Sequence, residues 1–227
     1  MIKKLFAILT VMVLSTLTFN LKAQLIDLEG MPPYKLGVTV GMNIPDFSGS
    51  CLDQNDKLMK YSPTVGFQIG VNLMVDASPW LDNTFGRVEL KYSQKGADWN
   101  DLTGGNKEYH TLHYLELPIH YGYAWYINDV VSLMAEAGPY FAIGLGGSER
   151  KEILHNGKIH NVYIGEFSDY GHNRFDCGVG LQVSAMLAKY YQVHVAYDFG
   201  FINVSRDYLQ NRNFSIGFTW FFEHMFE

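Results

Sequence analysis

Period two runs through most of this sequence, and no other feature limits the possible folds so strongly. From Val65 to Val75 the residues Val65, Phe67, Ile69, Val71, Leu73 and Val75 alternate with Gly66, Gln68, Gly70, Asn72 and Met74. Successive side chains of a strand point to opposite faces, so this alternation specifies a strand with one apolar face. The pattern recurs over Tyr34 to Asn43, Arg87 to Ser93, Tyr114 to Trp125, Val131 to Leu145, Phe175 to Ala185, Tyr191 to Phe199 and Arg212 to Phe222. Eight strands and an all-β fold are expected. No run of about 18 apolar residues follows the N-terminal segment, so no transmembrane helix is predicted.

Alternation also suits a soluble sandwich, and the connections separate the two. The first, third, fifth and seventh connections are long and polar: Ile44 to Lys60, Gly96 to His110, Gly146 to Asn173 and Ile202 to Asn211. Those between them are short: Asp76 to Asn83, Ile127 to Asp129 and Leu187 to Lys189. An even strand count with long and short connections in turn predicts an eight-stranded antiparallel up-and-down transmembrane β-barrel, with long extracellular loops and short periplasmic turns. Trp80, Tyr123, Trp125, Tyr190, Tyr191, Trp220 and Phe222 gather at the short-turn ends, where a periplasmic aromatic girdle belongs.

A charge facing lipid at mid-bilayer costs roughly 2–4 kcal/mol in a barrel, so the apolar faces must point outward and every strand charge inward. The inward set is Lys35, Arg87, Lys91 and Arg174 against Glu89, Glu116, Glu136, Asp176 and Asp198, with His120 and His194 among them. Near balance of sign predicts a structural ion-pair network filling the lumen. Glu116, Pro118 and His120 share the inward parity in YLELPIHYGYAWY (Tyr114 to Tyr126). A closed barrel has no edge strand to shelter a proline, so a local break in pairing is expected at Pro118.

Lys3 and Lys4, an apolar stretch from Leu5 to Phe19, and Leu21-Lys22-Ala23 read as a secretory signal peptide over residues 1–23, removed after Ala23. Residues 24–33 form a short periplasmic segment, 34–222 the barrel and 223–227 a C-terminal tail. Loss of Lys3, Lys4 and Lys22 takes the 17 basic residues to 14 against 23 acidic ones, a net charge of −9. That balance argues against a nucleic-acid partner. Cys51 and Cys177 lie far apart in the expected topology, and two thiols make no disulfide framework.

No catalytic constellation stands out, no cofactor is implied, and the chain is not expected to be an enzyme. His113 has outward parity near the outer leaflet, but its expected neighbours, Leu90, Tyr92, Ile143 and Leu145, supply no nucleophile or acid. The loop from Gly146 to Asn173 holds His155, His160 and His172 with Glu152, Glu166 and Asp169, in spacings that match no metal-ligand motif. It reads as a solvated loop that extends its strands as a hairpin through Lys158 to Tyr163. Gly178 to Gly180 is strand glycine, since no helix follows to cradle a nucleotide.

The stretches LGVTVGMNIPDFSG (Leu36 to Gly49), YLELPIHYGY (Tyr114 to Tyr123), FDCGVGLQVSA (Phe175 to Ala185) and NFSIGFTWFF (Asn213 to Phe222) resemble the PorT-type outer-membrane β-barrel family. The likeness runs in order along nearly the whole chain after residue 23, and its most specific element is Leu115-Glu116-Leu117-Pro118. Ser215, Gly217, Trp220 and Phe222 resemble a barrel-assembly signal, with Glu223 to Glu227 following the terminal aromatic. The resemblance implies an outer-membrane location, contact with outer-membrane lipid, insertion by the barrel-assembly machinery, and an accessory part in protein secretion or envelope assembly through a protein held at loops or turns. A narrow pore for small solutes or ions is the alternative, and a lipid-modifying enzyme the second.

Overall fold

The computed structural model describes residues 34–49, 51–52, 58–59, 62–100, 107–155, 158–165, 173–203 and 209–222. The expected signal peptide, the 24–33 segment, the 223–227 tail, Glu166, Asp169 and His172 lie outside the described residues.

The strands are β1 (Tyr34–Ser48), β2 (Cys51–Leu52), β3 (Leu58–Met59), β4 (Gly66–Asp76), β5 (Thr84–Asn100), β6 (Lys107–Tyr126), β7 (Val131–His155), β8 (Lys158–Gly165), β9 (Phe175–Leu187), β10 (Tyr191–Asn203) and β11 (Gln210–Phe222). Nine of them form one antiparallel sheet in the order β6-β5-β4-β1-β11-β10-β9-β7-β8. The further pairing of β6 with β7 closes this sheet into a ring of eight and leaves β8 outside it, paired with β7. The short strands β2 and β3 pair only with each other.

The barrel's polarity follows from the alternation. Val71, Leu115, Ile119, Leu133, Val183 and Ile216 are exposed on the outside, whereas Asn72, Glu116, His120, Ser184 and Ser215 are buried within. Short turns close one end. At the β9–β10 turn Ala188 and Lys189 both have positive φ, 49° and 64°, a conformation costly for residues with a Cβ but matched to the strand twist.

The strands run longer at the other end than their sequence predicts. The expected loop from Gly96 to His110 is largely strand: β5 continues to Asn100 and β6 begins at Lys107. Gly96 looks like a strand end but is a strand interior, where φ is +145° and a Cβ would collide with the carbonyl of His110. The strand β7 likewise continues to His155 and returns as β8, in the hairpin expected of that loop.

Pairing is interrupted around Pro118 without any change of register. With β5, the pairs Val88↔Ile119 and Lys91↔Glu116 flank a gap at Leu117 and Pro118. With β7, Pro118↔Tyr140 and Tyr121↔Ala137 flank a gap at Ile119 and His120, facing Pro139 and Gly138. Two prolines on neighbouring strands therefore interrupt the ladder on either side of β6, because neither supplies an N–H. The bulge itself lies higher, between His113 and Tyr114.

Candidate functional site

A cross-section of the lumen can be read along one strand. The inward residues of β5 are Phe85, Arg87, Glu89, Lys91, Ser93, Lys95 and Ala97, and every one is buried. Apolar side chains stand at both ends of this series and charges between them.

Arg87 lies lowest among the cations. Its Nε is 3.0 Å from Glu136 Oε2, its Nη1 donates to Gln192 Oε1 at 2.9 Å, and the rings of Phe85 and Phe221 lie 5.8 and 5.9 Å from its guanidinium carbon. His120 shares that carboxylate, with Nδ1 3.6 Å from Glu136 Oε1. Glu116 collects two ammonium groups, Lys91 at 3.5 Å and Lys95 in closer contact. Lys95 Nζ also lies 4.7 Å from the centre of the Tyr140 ring. Asp176 accepts from Asn211 at 2.9 Å and from Tyr140 at 3.2 Å, and Asp198 accepts from Asn213 at 3.3 Å. His194 is buried opposite Gly217, whose missing side chain leaves the space that the imidazole fills.

Two residues expected in this network lie elsewhere. Lys35 sits at the turn end and donates to the Lys189 carbonyl at 3.1 Å. Arg174 is exposed at the loop end, where its Nη1 donates to the Gly144 carbonyl at 3.3 Å. Parity gives the face of a side chain but not its depth, and at a strand end the inward face meets water. Lys95 is the buried cation that the sequence reading missed. The expected balance of sign is therefore corrected: among the described residues, Arg87, Lys91 and Lys95 face Glu89, Glu116, Glu136, Asp176 and Asp198. Arg212 also departs from the rule that every strand charge points inward. It lies on the outer face at the loop end of β11, paired in register with Asp46 and Phe199, with its guanidinium 5.2 Å from the Phe199 ring. A charge this close to the membrane surface costs little, about 0–1 kcal/mol.

Apolar layers seal both ends of the charged section. Phe85, Ala124, Met134, Met186 and Phe221 form one cluster, with Met74 packed against it. Phe47, Ala97, Leu112, Tyr114, Tyr140, Ala142 and Leu209 form the other. An eight-stranded barrel encloses just enough room for its own side chains, and here they fill it.

Residues 32–206 match the family described as outer membrane protein beta-barrel domain. The chain belongs to that family. No curated protein matches it. Among solved structures it is similar to Ail, the attachment invasion locus protein of Yersinia pestis, at 11% identity over 85% of this chain and 100% of that one, with a TM-score of 0.39. It is also similar to the outer membrane protein OprG from Pseudomonas aeruginosa, at 12% identity over 86% of this chain and 99% of that one, with a TM-score of 0.42. As an outer-membrane barrel it meets lipid with its apolar outer face, its short turns face the periplasm, and its long connections face outward.

Trp80, Tyr123, Trp125, Tyr191 and Trp220 are exposed at the periplasmic end, and Tyr190 and Phe222 are half-buried there. Rings pair along this end, Tyr123 with Trp125 at 5.0 Å and Trp220 with Phe222 at 4.7 Å. Near the outer leaflet, His113 Nδ1 and the Tyr92 hydroxyl are 2.7 Å apart with their rings stacked. Gln94 and Gly146 face His113 in register, so among these neighbours the Tyr92 hydroxyl alone supplies it with a polar partner. Cys177 carries a free thiol.

Beyond the membrane, β5 to β8 continue as an extracellular wall. On its inward face Glu108 and His110 of β6 stand beside Glu149 and Lys151 of β7, with His110↔Glu149 and Glu108↔Lys151 in register. Lys151 Nζ bridges the two carboxylates, 2.6 Å from Glu149 and 3.1 Å from Glu108. Burial would raise the pKa of Glu108, but bonds from His110 and Lys151 and their charge hold it below the ordinary glutamate value. Burial would lower Lys151, and its bonds to the same two carboxylates hold it above the ordinary lysine value. Of the loop histidines singled out in the sequence, His160 is exposed on β8.

Proposed function

We propose that this barrel is an interaction protein of the outer membrane: an anchor whose extracellular wall holds a partner protein. The observation that carries this reading is the lumen sealed at both ends, by the Phe85–Phe221 layer below and the Phe47–Tyr140 layer above. A filled interior leaves the outward-reaching surfaces to act. The wall ends in β8, whose only pairing among the described residues is with β7. Val162 and Tyr163 are exposed there, at 41% and 68%. Charged residues and prolines usually protect such an edge; β8 carries one charge, Lys158 at its start, and the rest of it, Ile159 to Gly165, contains no proline, lysine, arginine, aspartate or glutamate. The likeness to PorT-type barrels supports an accessory role in secretion or envelope assembly, with residues 1–23 as the export signal, the barrel-assembly machinery as the inserting partner and Trp80, Tyr123, Trp125, Tyr190, Tyr191, Trp220 and Phe222 as the periplasmic girdle. The buried charges are structural, and neither catalysis nor transport is assigned to them.

Two measurements test this reading. Refolded barrel in planar bilayers is expected to give no stable conductance, and reproducible channels would establish the pore instead. Photocrosslinkers at Val162 or Tyr163 in intact cells are expected to trap a protein, whereas crosslinkers at Trp80 and Asn128 in the periplasmic turns do not. The opposite pattern would move the docking site to the turns.

A further inference from the structure

We infer that the inward face of the extracellular wall carries a divalent-metal site built from Glu108, His110 and Glu149, with Lys151 as a built-in competitor for it. One coordinating atom from each of the three lies within 4.8 Å of the others. The ladder accounts for this convergence. Glu108 and His110 are two residues apart and share a face, and the register sets Glu149 directly across from His110. The imidazole is buried, and its ring meets Phe47 edge-on at 5.9 Å, which limits its rotation. Its Nε2 lies 3.8 Å from Glu108 Oε2, so a small closure of the long glutamate side chains reaches coordination distance. Both carboxylates keep some exposure, at 18% and 14% of their side chains, so an ion has a way in from solvent.

One imidazole nitrogen with two carboxylate oxygens suits a borderline divalent ion such as Zn²⁺ better than Ca²⁺, which takes oxygen ligands alone. Three protein ligands also leave a fourth position open to water or to a side chain of a docked partner. The ammonium of Lys151 stands between the same carboxylates and matches their charge in part. A divalent ion would balance both carboxylates, and Lys151, one-third exposed, would swing into solvent. The site is thus set to exchange an internal cation for an external one.

The full chain, refolded in detergent, is to be titrated with Zn²⁺ by calorimetry and with Co²⁺ by visible absorption. One ion per chain is expected. His110→Ala and Glu149→Gln should each weaken binding by about tenfold or more, Lys151→Met should tighten it by about tenfold, and His160→Ala should leave it unchanged. Heat-modifiable gel mobility establishes that each variant is folded. Binding that survives both His110→Ala and Glu149→Gln, or that vanishes with His160→Ala, would place the metal elsewhere and overturn the inference. Absence of saturable binding in both the wild type and Lys151→Met would overturn it as well.

Discussion

One side of this barrel stops where the membrane stops, and the other does not. The strands β9, β10 and β11 have 13 residues each, close to the roughly 9–11 that a tilted strand needs to cross a bilayer. Their neighbours across the ring, β5, β6 and β7, have 17, 20 and 25. The ten residues from Gly146 to His155 alone add roughly 30 Å of strand. Lipid thickness sets the length of the short side, and it cannot account for the tall one. The excess is backbone ordered in water, with an entropy cost that membrane insertion does not explain.

The largest test of this contrast lies in the part that both sides share. Glu116→Leu leaves Lys91 and Lys95 buried beside an apolar side chain and should cost about 3–5 kcal/mol. Urea titration of the refolded barrel by gel mobility would measure it, and a loss below about 1 kcal/mol would mean that the charged section is not held through Glu116. Next comes a paired substitution on the outer surface. Leu117→Arg, in the lipid belt, should cost roughly 2–4 kcal/mol, and Tyr163→Arg, on the tall wall, should stay within about 0.5 kcal/mol. Equal costs in the same titration would erase the distinction between the two regions. Replacing Ala188-Lys189 by Asn-Gly puts residues that adopt positive φ at low cost into this short turn and should stabilise the barrel by about 1 kcal/mol, read as a raised urea midpoint.

The smallest effect is confined to the wall. Glu108 has a depressed pKa when folded, so its contribution is present above the ordinary glutamate value and is lost as pH falls through the lower folded value. Lys151 is raised, so its contribution is present at neutral pH and lost only as pH rises through the elevated value. Acid should therefore lower the hydrogen-exchange protection, taken relative to the intrinsic rate at each pH, in β7 and β8 above Gly146 more than in β10 and β11. A uniform loss of protection in all four strands would show that the wall is not a separate unit.

The sequence revealed the face of almost every strand residue, because parity is a local property and the membrane penalises errors in it. It revealed depth poorly. Lys35 and Arg174 have the parity of Glu116 but stand at strand ends, in reach of water. Lys95 was hidden by Gly96, which looks like a break and is a close crossing of β6; the run Arg87, Glu89, Lys91, Ser93, Lys95 at steps of two was the available signal. Pro118 points to an interrupted ladder, but the second interruption, on the other side of β6, depends on Pro139 of the neighbouring strand and so on a register that the local pattern does not contain. The meeting of His110 with Glu149 depends on the register between β6 and β7, where a bulge shifts the count by one at His113. No local pattern encodes that shift.

The seam between the first barrel strand and the last has a genetic consequence. Pairing along it runs from Leu36↔Phe222 to Ser48↔Gln210, so the ring cannot close until the final strand has been made. Every shorter product presents two open edges, one on β1 and one on its last complete strand, and open edges recruit other chains. A premature stop just before β11 should therefore be as damaging as one near the start of the gene, whereas an in-frame deletion within the tall wall should be tolerated.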